Sequence, residues 1–184
     1  MIFNDLQILE KLKEGDPLAY NQLFDKYYMP LCVYSLKYCD SFPLAEDIVQ
    51  DLFVKIWDEK LYMKFDNPVS PYLFKSVRNN TLQVLKKESK YQFDDIEKMV
   101  NNLMEEEPLD FATLEEEKKK LFDQVEALPE KSKEVFKAIV LENMKYKEVA
   151  EHLDISVNTV KTHYARALKQ LRFKLDIIIM LMMV

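Results

Sequence analysis

YKEVAEHLDISVNTVKTHYA, residues Tyr146 to Ala165, decides the architecture of the last third of this chain. Val149, Ala150 and Leu153 recur at helical spacing and give a first short helix one apolar face. Ala150 is small enough to let a second helix cross closely there. Asp154 and Ile155 break the period, and the hydroxyl of Ser156 is suited to cap the helix that follows. Val157, Val160, Tyr164, Leu168 and Leu171 then continue an apolar stripe. Two short helices around a tight turn make a helix-turn-helix, whose second helix is the element that enters a DNA groove.

The polar side of that second helix carries the chemistry. Ser156, Asn158, Thr159, Lys161 and Thr162 fall at its cap and in its first turns, where side chains of a recognition helix reach base edges or phosphates, and Arg166 follows. Five basic residues (Lys161, Arg166, Lys169, Arg172, Lys174) and no acidic one lie between Lys161 and Lys174, so a cationic helix sits in an anionic protein. A basic helix end also complements the helix dipole, but the two-helix pattern in front of it favours phosphate as the partner.

The chain has 184 residues and a single Gly, which argues against hairpins, phosphate-cradling loops and strand-rich architecture, all of which recruit Gly for positive φ. An all-helical protein is expected. Cys32 and Cys39 stand seven apart, expected on one helical face as reduced, semi-buried thiols. His152 and His163 make no metal-spaced pair, and a P-loop needs more than one Gly, so the sequence points to no enzyme and no cofactor or metal. Asp5 and Glu10 interrupt the N-terminus, which lacks the pattern of a secretory signal, and a cytoplasmic protein is expected. The apolar run Ile177–Val184 is far shorter than the roughly 20 residues of a membrane-spanning helix and is expected to extend the last helix and pack on the protein or a partner.

The net charge of −6 is unevenly distributed. Ten acidic residues against Lys98 alone between Asp94 and Glu117 give that segment −9, leaving +3 for the rest of the chain. With Pro108, Asn101 and Asn102 and no sustained apolar period, residues 91–117 read as an acidic linker between a domain at 1–90 and another at 118–184.

Helix punctuation is legible through the first domain. Asn4 is placed to cap a helix that stops at Gly15; Asp16 and Pro17 open a second that runs towards Cys39. Ser41 and Pro43 open a third, with Leu44, Ile48, Leu52 and Ile56 as its stripe and Val49, Phe53 and Trp57 widening it. Ser70 and Pro71 open a fourth, carrying Leu73, Val77, Leu82 and Leu85. Four such stripes can bury one another in a bundle. Outside them remain an acidic edge on the third helix (Glu46, Asp47, Gln50, Asp51) and a basic, amide-bearing face on the fourth (Lys75, Arg78, Asn79, Lys86, Lys87). Tyr62, Phe65 and Asn67, in the loop between them, are residue types that stack on or hydrogen-bond an unpaired base.

With both halves read, the chain resembles a bacterial sigma factor of the sigma-70 family, extracytoplasmic-function type. AEDIVQDLFVKIW (Ala45–Trp57) resembles region 2.2, PYLFKSVRNNTLQVLKK (Pro71–Lys87) resembles regions 2.3 and 2.4, and Leu128–Leu171 resembles region 4. The resemblance implies an all-α fold in which Asp47, Gln50 and Asp51 dock on the clamp coiled coil of the largest subunit of core RNA polymerase. It assigns Asn79 and its basic neighbours to the −10 element, with a flipped base in the adjoining loop. It assigns Ser156, Asn158, Thr159, Lys161, Thr162 and Arg166 to the −35 element. It further implies contact with the flap of the second-largest polymerase subunit and an anti-sigma factor as partner. Asp154 stands where many helix-turn-helix sequences have Gly, and an Asx-type hydrogen bond is expected to tighten the turn. Gln83, Asn80 and Ala165 also depart from common family residues, so promoter sequence does not transfer. Two rivals explain less. A stand-alone helix-turn-helix transcriptional regulator gives no reason for the acidic and basic faces on neighbouring N-terminal helices, and a helical interaction protein gives none for the helix-turn-helix.

Overall fold

The computed structural model describes residues 5–65, 68–88 and 111–183, all of them helical or in turns and connections, with no strand among them. The chain divides into two compact units between Met104 and Glu105.

In the first unit α1 (Asp5–Lys13) ends where Gly15, at φ +88°, lets its own N–H reach Leu12 O and the N–H of Asp16 reach Lys11 O, both at 3.0 Å. This is a Schellman closure, and it needs the left-handed backbone that Gly adopts without strain. Asn4 and its expected cap lie outside the described residues. The Asp16 carboxylate accepts from Leu18 N at 2.8 Å to cap α2 (Pro17–Ser35), with Pro17 in the first turn. Contrary to expectation, α2 stops at Ser35. The chain turns through residues 36–38, where Tyr38 N and Cys39 N both bond Ser35 O. Cys39 therefore lies beyond the helix that carries Cys32, and both thiols are buried and outside any disulfide rather than half-exposed on one face.

Ser41 Oγ accepts from Leu44 N to cap α3 (Phe42–Asp58), which buries Ala45, Ile48, Val49, Leu52, Phe53 and Ile56. Trp57, expected in the stripe, is 39% exposed at its edge, with its ring 4.8 Å from that of Tyr20. Lys60, at φ +51°, turns the chain into a 3-10 turn, Leu61–Lys64. In α4 (Ser70–Glu88) Ser70 is the first helical residue rather than a cap in front of it, and the N–H of Leu73 already reaches Val69 O. The buried line of α4 is Leu73, Val77 and Thr81, while Leu82 and Leu85 are half-buried. A threonine inside the core needs partners. Its hydroxyl donates to Val77 O at 2.8 Å and accepts from Ser35 Oγ of α2 at 2.9 Å. α2 packs against α1, α3 and α4, so it is the central helix of the bundle.

The second unit contains α5 (Phe111–Glu126), α6 (Glu130–Val140), α7 (Tyr146–His152), α8 (Val157–Gln170), a 3-10 turn (Arg172–Lys174) and α9 (Leu175–Met183). Residues 91–110 of the expected linker lie outside the described residues, but 111–117 are already the first turns of α5. Three lysines follow the acidic run and give it i,i+3 partners, Glu115 with Lys118 at 2.9 Å and Glu117 with Lys120 at 2.8 Å. Leu121 and Val125, one turn apart, are buried. α9 is not a continuation of α8: the helix ends at the Leu171 cap and the 3-10 turn redirects the chain. Leu175, Ile177 and Ile178 of α9 are buried, and the helix packs on α5 and α6. Among the described residues, no helix is long and apolar enough to cross a membrane.

Candidate nucleic-acid interface

The helix-turn-helix forms because its apolar residues converge on α6. Val149 on α7 and Val160, Tyr164, Ala167 and Leu168 on α8 are essentially inaccessible to solvent. Each of the large ones contributes on the order of 1.5–3 kcal/mol by leaving water. Val157, expected in this stripe, is 38% exposed, and Ala167 joins the stripe instead. Glu148 Oε2 accepts from the Lys145 N–H at 2.6 Å and closes the start of α7. Ser156 Oγ accepts from Thr159 N at 3.0 Å and lies 2.8 Å from Thr159 Oγ1, so the expected cap of α8 also orders a candidate contact residue.

The turn between the helices is made by Asp154, at φ +52°, with Ile155 N–H bonded to Ala150 O at 3.0 Å. Asp is one of the few residues with a side chain that enter the left-handed region at modest cost. The position that Gly commonly fills is thus kept left-handed, and the bond that closes the turn is a backbone one.

Ser156, Asn158, Thr162 and Arg166 are exposed, while Thr159 and Lys161 are half-buried. Asn158, Thr162 and Arg166 follow one another at i,i+4 and share a face. The Thr162 hydroxyl donates to Asn158 O at 2.9 Å, which fixes its rotamer on that face. Lys161 places its ammonium 5.5 Å from the centroid of the Tyr146 ring. On the inner side of α8, His163 Nδ1 lies 3.2 Å from Ser132 Oγ of α6, a polar tie between the two helices that spacing alone does not reveal. His152 is exposed. Neither histidine belongs to a group of three metal-ligating side chains among the described residues.

The foot of α8 is tied to the acidic start of the unit. Lys174 and Lys120 both donate to Glu117, and these hydrogen bonds hold its carboxyl well below the ordinary carboxylate range, at about 2, with the Lys120 bond the larger cause. Lys133 pairs with Glu130 at 3.0 Å and with Glu126 at 3.5 Å, bridging α6 to the end of α5.

Residues 118–171 match the family described as Sigma-70, region 4. No curated protein matches the chain. The region 4 match covers just under a third of the 184 residues, from Lys118 on α5 to Leu171 at the end of α8. It takes in the whole helix-turn-helix and leaves the N-terminal bundle outside it. The second unit is thereby similar to the domain with which sigma factors recognise promoters.

The two N-terminal faces stand as follows. On α3, Asp47, Gln50 and Asp51 are exposed, but Glu46 is not part of that edge. It is 5% exposed and accepts from the Tyr28 hydroxyl at 3.2 Å, because its position faces α2 rather than solvent. Gln50 Nε2 donates to the same Tyr28 oxygen at 3.0 Å, which anchors one residue of the edge to α2. Burial is the main cause that pushes the Tyr28 phenol upward and keeps it a neutral donor. On α4, Lys75, Asn79, Lys86 and Lys87 are exposed and Arg78 is half-buried, engaging Tyr38 of the turn that follows α2.

Tyr62 and Phe65, expected in a loop open to a base, are buried. They are 7% and 4% exposed, Tyr62 beside Trp57 and Phe65 4.7 Å from the ring of Tyr72. The 3-10 turn folds both side chains back under the bundle, and Lys13 Nζ bonds Phe65 O at 2.8 Å to fasten the connection. In this conformation neither ring is available to stack on a base. Asn67 lies outside the described residues.

Proposed function

We propose that this chain is a sigma-70 family factor of the extracytoplasmic-function type, a dissociable subunit that gives core RNA polymerase its promoter specificity. The observation that carries the reading is the exposed polar and cationic face of α8, set by a capped helix-turn-helix within the segment similar to sigma-70 region 4. In this reading Ser156, Asn158, Thr159, Lys161, Thr162 and Arg166 meet the −35 element in the major groove. Phosphate contacts set register and base-edge contacts set sequence.

The first domain, to about residue 90, would supply the other two functions. Asp47, Gln50 and Asp51 would dock on the clamp coiled coil of the largest polymerase subunit. Lys75, Arg78, Asn79, Lys86 and Lys87 would track the −10 element as its strands part. Opening would draw on the capture of unpaired bases along this basic, amide-bearing face, with no nucleotide hydrolysed and no cofactor. The acidic segment before α5 would lie in a basic polymerase channel, its carboxylates replacing nucleic-acid phosphates. The second unit would contact the flap of the second-largest subunit, and an anti-sigma factor would hold the free protein inactive in the cytoplasm.

The test is association with core polymerase freed of its own specificity subunit, followed by transcription from a random promoter library. Tight association and accurate initiation are expected. DNA binding without either would favour a stand-alone regulator, and loss of all three would leave a helical interaction protein.

A further inference from the structure

The acidic edge of α3 is not ordered by α3 alone. Tyr28 of α2 reaches it with a single hydroxyl, which donates to Glu46 Oε1 at 3.2 Å and accepts from Gln50 Nε2 at 3.0 Å. Glu46 and Gln50 stand one turn apart on α3, the first buried and the second exposed, so the hydroxyl joins the inner side of the helix to its open side. The ring behind it is fixed in turn. Phe24, one turn earlier on α2, stacks on that ring at a centroid distance of 4.7 Å and an angle of 20°, and itself meets the ring of Phe53 at 4.9 Å and 64°. Phe53 belongs to the buried stripe of α3, so Tyr28 is held from the core outward.

The count of protons decides how Gln50 is presented. A phenol has one proton to give, a carboxylate only accepts, and an amide can offer either end. Burial is the main cause that raises the Tyr28 phenol above its ordinary pKa, so the hydroxyl keeps its proton, and Glu46 receives it. Only lone pairs remain for Gln50, which therefore turns its nitrogen to Tyr28 and its carbonyl oxygen away. A glutamine left to rotate would show either end of its amide and would have to give up that freedom on binding. Ordered in advance, it adds one fixed acceptor to a face that already carries the carboxyl groups of Asp47 and Asp51. We propose that Tyr28 is a positioning residue for docking, its hydroxyl turning the Gln50 amide so that the carbonyl oxygen is the end offered to an N–H donor of the partner. This rests on the reading above in which α3 docks on core polymerase.

The experiment uses the full-length chain with Tyr28→Phe, Gln50→Ala and the double variant Tyr28→Phe/Gln50→Ala. Tyr28→Phe keeps the ring and its stacking and removes the hydroxyl alone. The free protein reports the contact itself: by NMR relaxation the Gln50 side-chain amide is expected to be ordered in the parent and mobile in Tyr28→Phe, with the helical circular-dichroism signal retained. Each variant is then titrated with core polymerase freed of its own specificity subunit. Tyr28→Phe is expected to weaken association about three-fold, in line with one more side chain to be ordered on binding, and to cost nothing further in the Gln50→Ala background.

Equal losses from Tyr28→Phe in both backgrounds would reduce Tyr28 to a support for Glu46 and the bundle and overturn the proposal, as would an unweakened Tyr28→Phe. A Gln50 amide that rotates freely in the parent would overturn it without recourse to any variant. An ordered Gln50 amide in a parent that does not associate with core polymerase would instead remove the docking reading, and the positioning role with it.

Discussion

Glu117 on α5 accepts a hydrogen bond from Lys174, 57 residues later and just beyond α8. The bond joins the acidic beginning of the second unit to the turn that follows α8, and Lys120 reinforces it from the next turn of α5. Folding therefore favours the ionised carboxylate, whose pKa falls to about 2. The contribution is complete above the ordinary glutamate pKa of about 4.3 and disappears as the pH falls towards the folded value. Melting temperature measured against pH should drop through this interval. Glu117→Gln should lower it at neutral pH and flatten the drop; an acid limb as steep as that of the parent would show that Glu117 does not contribute to it.

The buried pair Ser35 and Thr81 joins α2 to α4 at 2.9 Å. Thr81→Val keeps the volume but leaves the Ser35 hydroxyl without that acceptor in the core, a cost of about 1–3 kcal/mol. Adding Ser35→Ala removes the stranded group and should recover a large part of the loss. Urea denaturation of the single and double variants measures this coupling, and strictly additive losses would speak against it.

Asp51 lies exposed on α3 beside Asp47, away from the helix's buried stripe. Asp51→Arg reverses its charge without entering the core, so the helical circular-dichroism signal and the melting temperature should hold while affinity for core polymerase falls at least ten-fold. Unchanged affinity would remove α3 as the docking face.

Lys161→Ala should reduce the slope of log affinity for promoter DNA against log salt by about 0.9 if its ammonium neutralises one phosphate. If it reads a base edge instead, the slope should stay and preference at one promoter position should relax. Titration at several salt concentrations against matched and mutated duplexes separates the two.

The helix-turn-helix was legible because its signals are local. Ser156 caps α8 as its position suggests, and Ala150, Val160, Tyr164 and Leu168 are buried where a helical period puts them. What sequence could not supply was decided by neighbours distant in the chain. Glu46 reads as one more acid on an edge until Tyr28 of α2 is placed against it. Tyr62 and Phe65 read as loop aromatics until the 3-10 turn tucks them beneath the bundle. The start of α5 is hidden for another reason: net charge registers the glutamates up to Glu117 but not the lysines one turn later that pair with them on the helix. Thr81 carried a usable signal, one turn beyond Val77 in the line begun by Leu73, but its hydroxyl disguised it as surface. The Tyr146–Lys161 contact joins two helices across the turn and follows from no period in either.

Gly15 is the chain's one glycine, and it sits at a left-handed turn with open space around it. Lys60, Asn143 and Asp154 hold the same backbone handedness with side chains attached. Each carries some local strain in the native fold, yet each also narrows the range of shapes open to the denatured chain, so less disorder is given up on folding than if glycine stood there. A protein with so few freely hinged positions should have a comparatively stiff unfolded ensemble, and glycine scanning of these three turns should raise the breadth of that ensemble even where it relieves the native backbone.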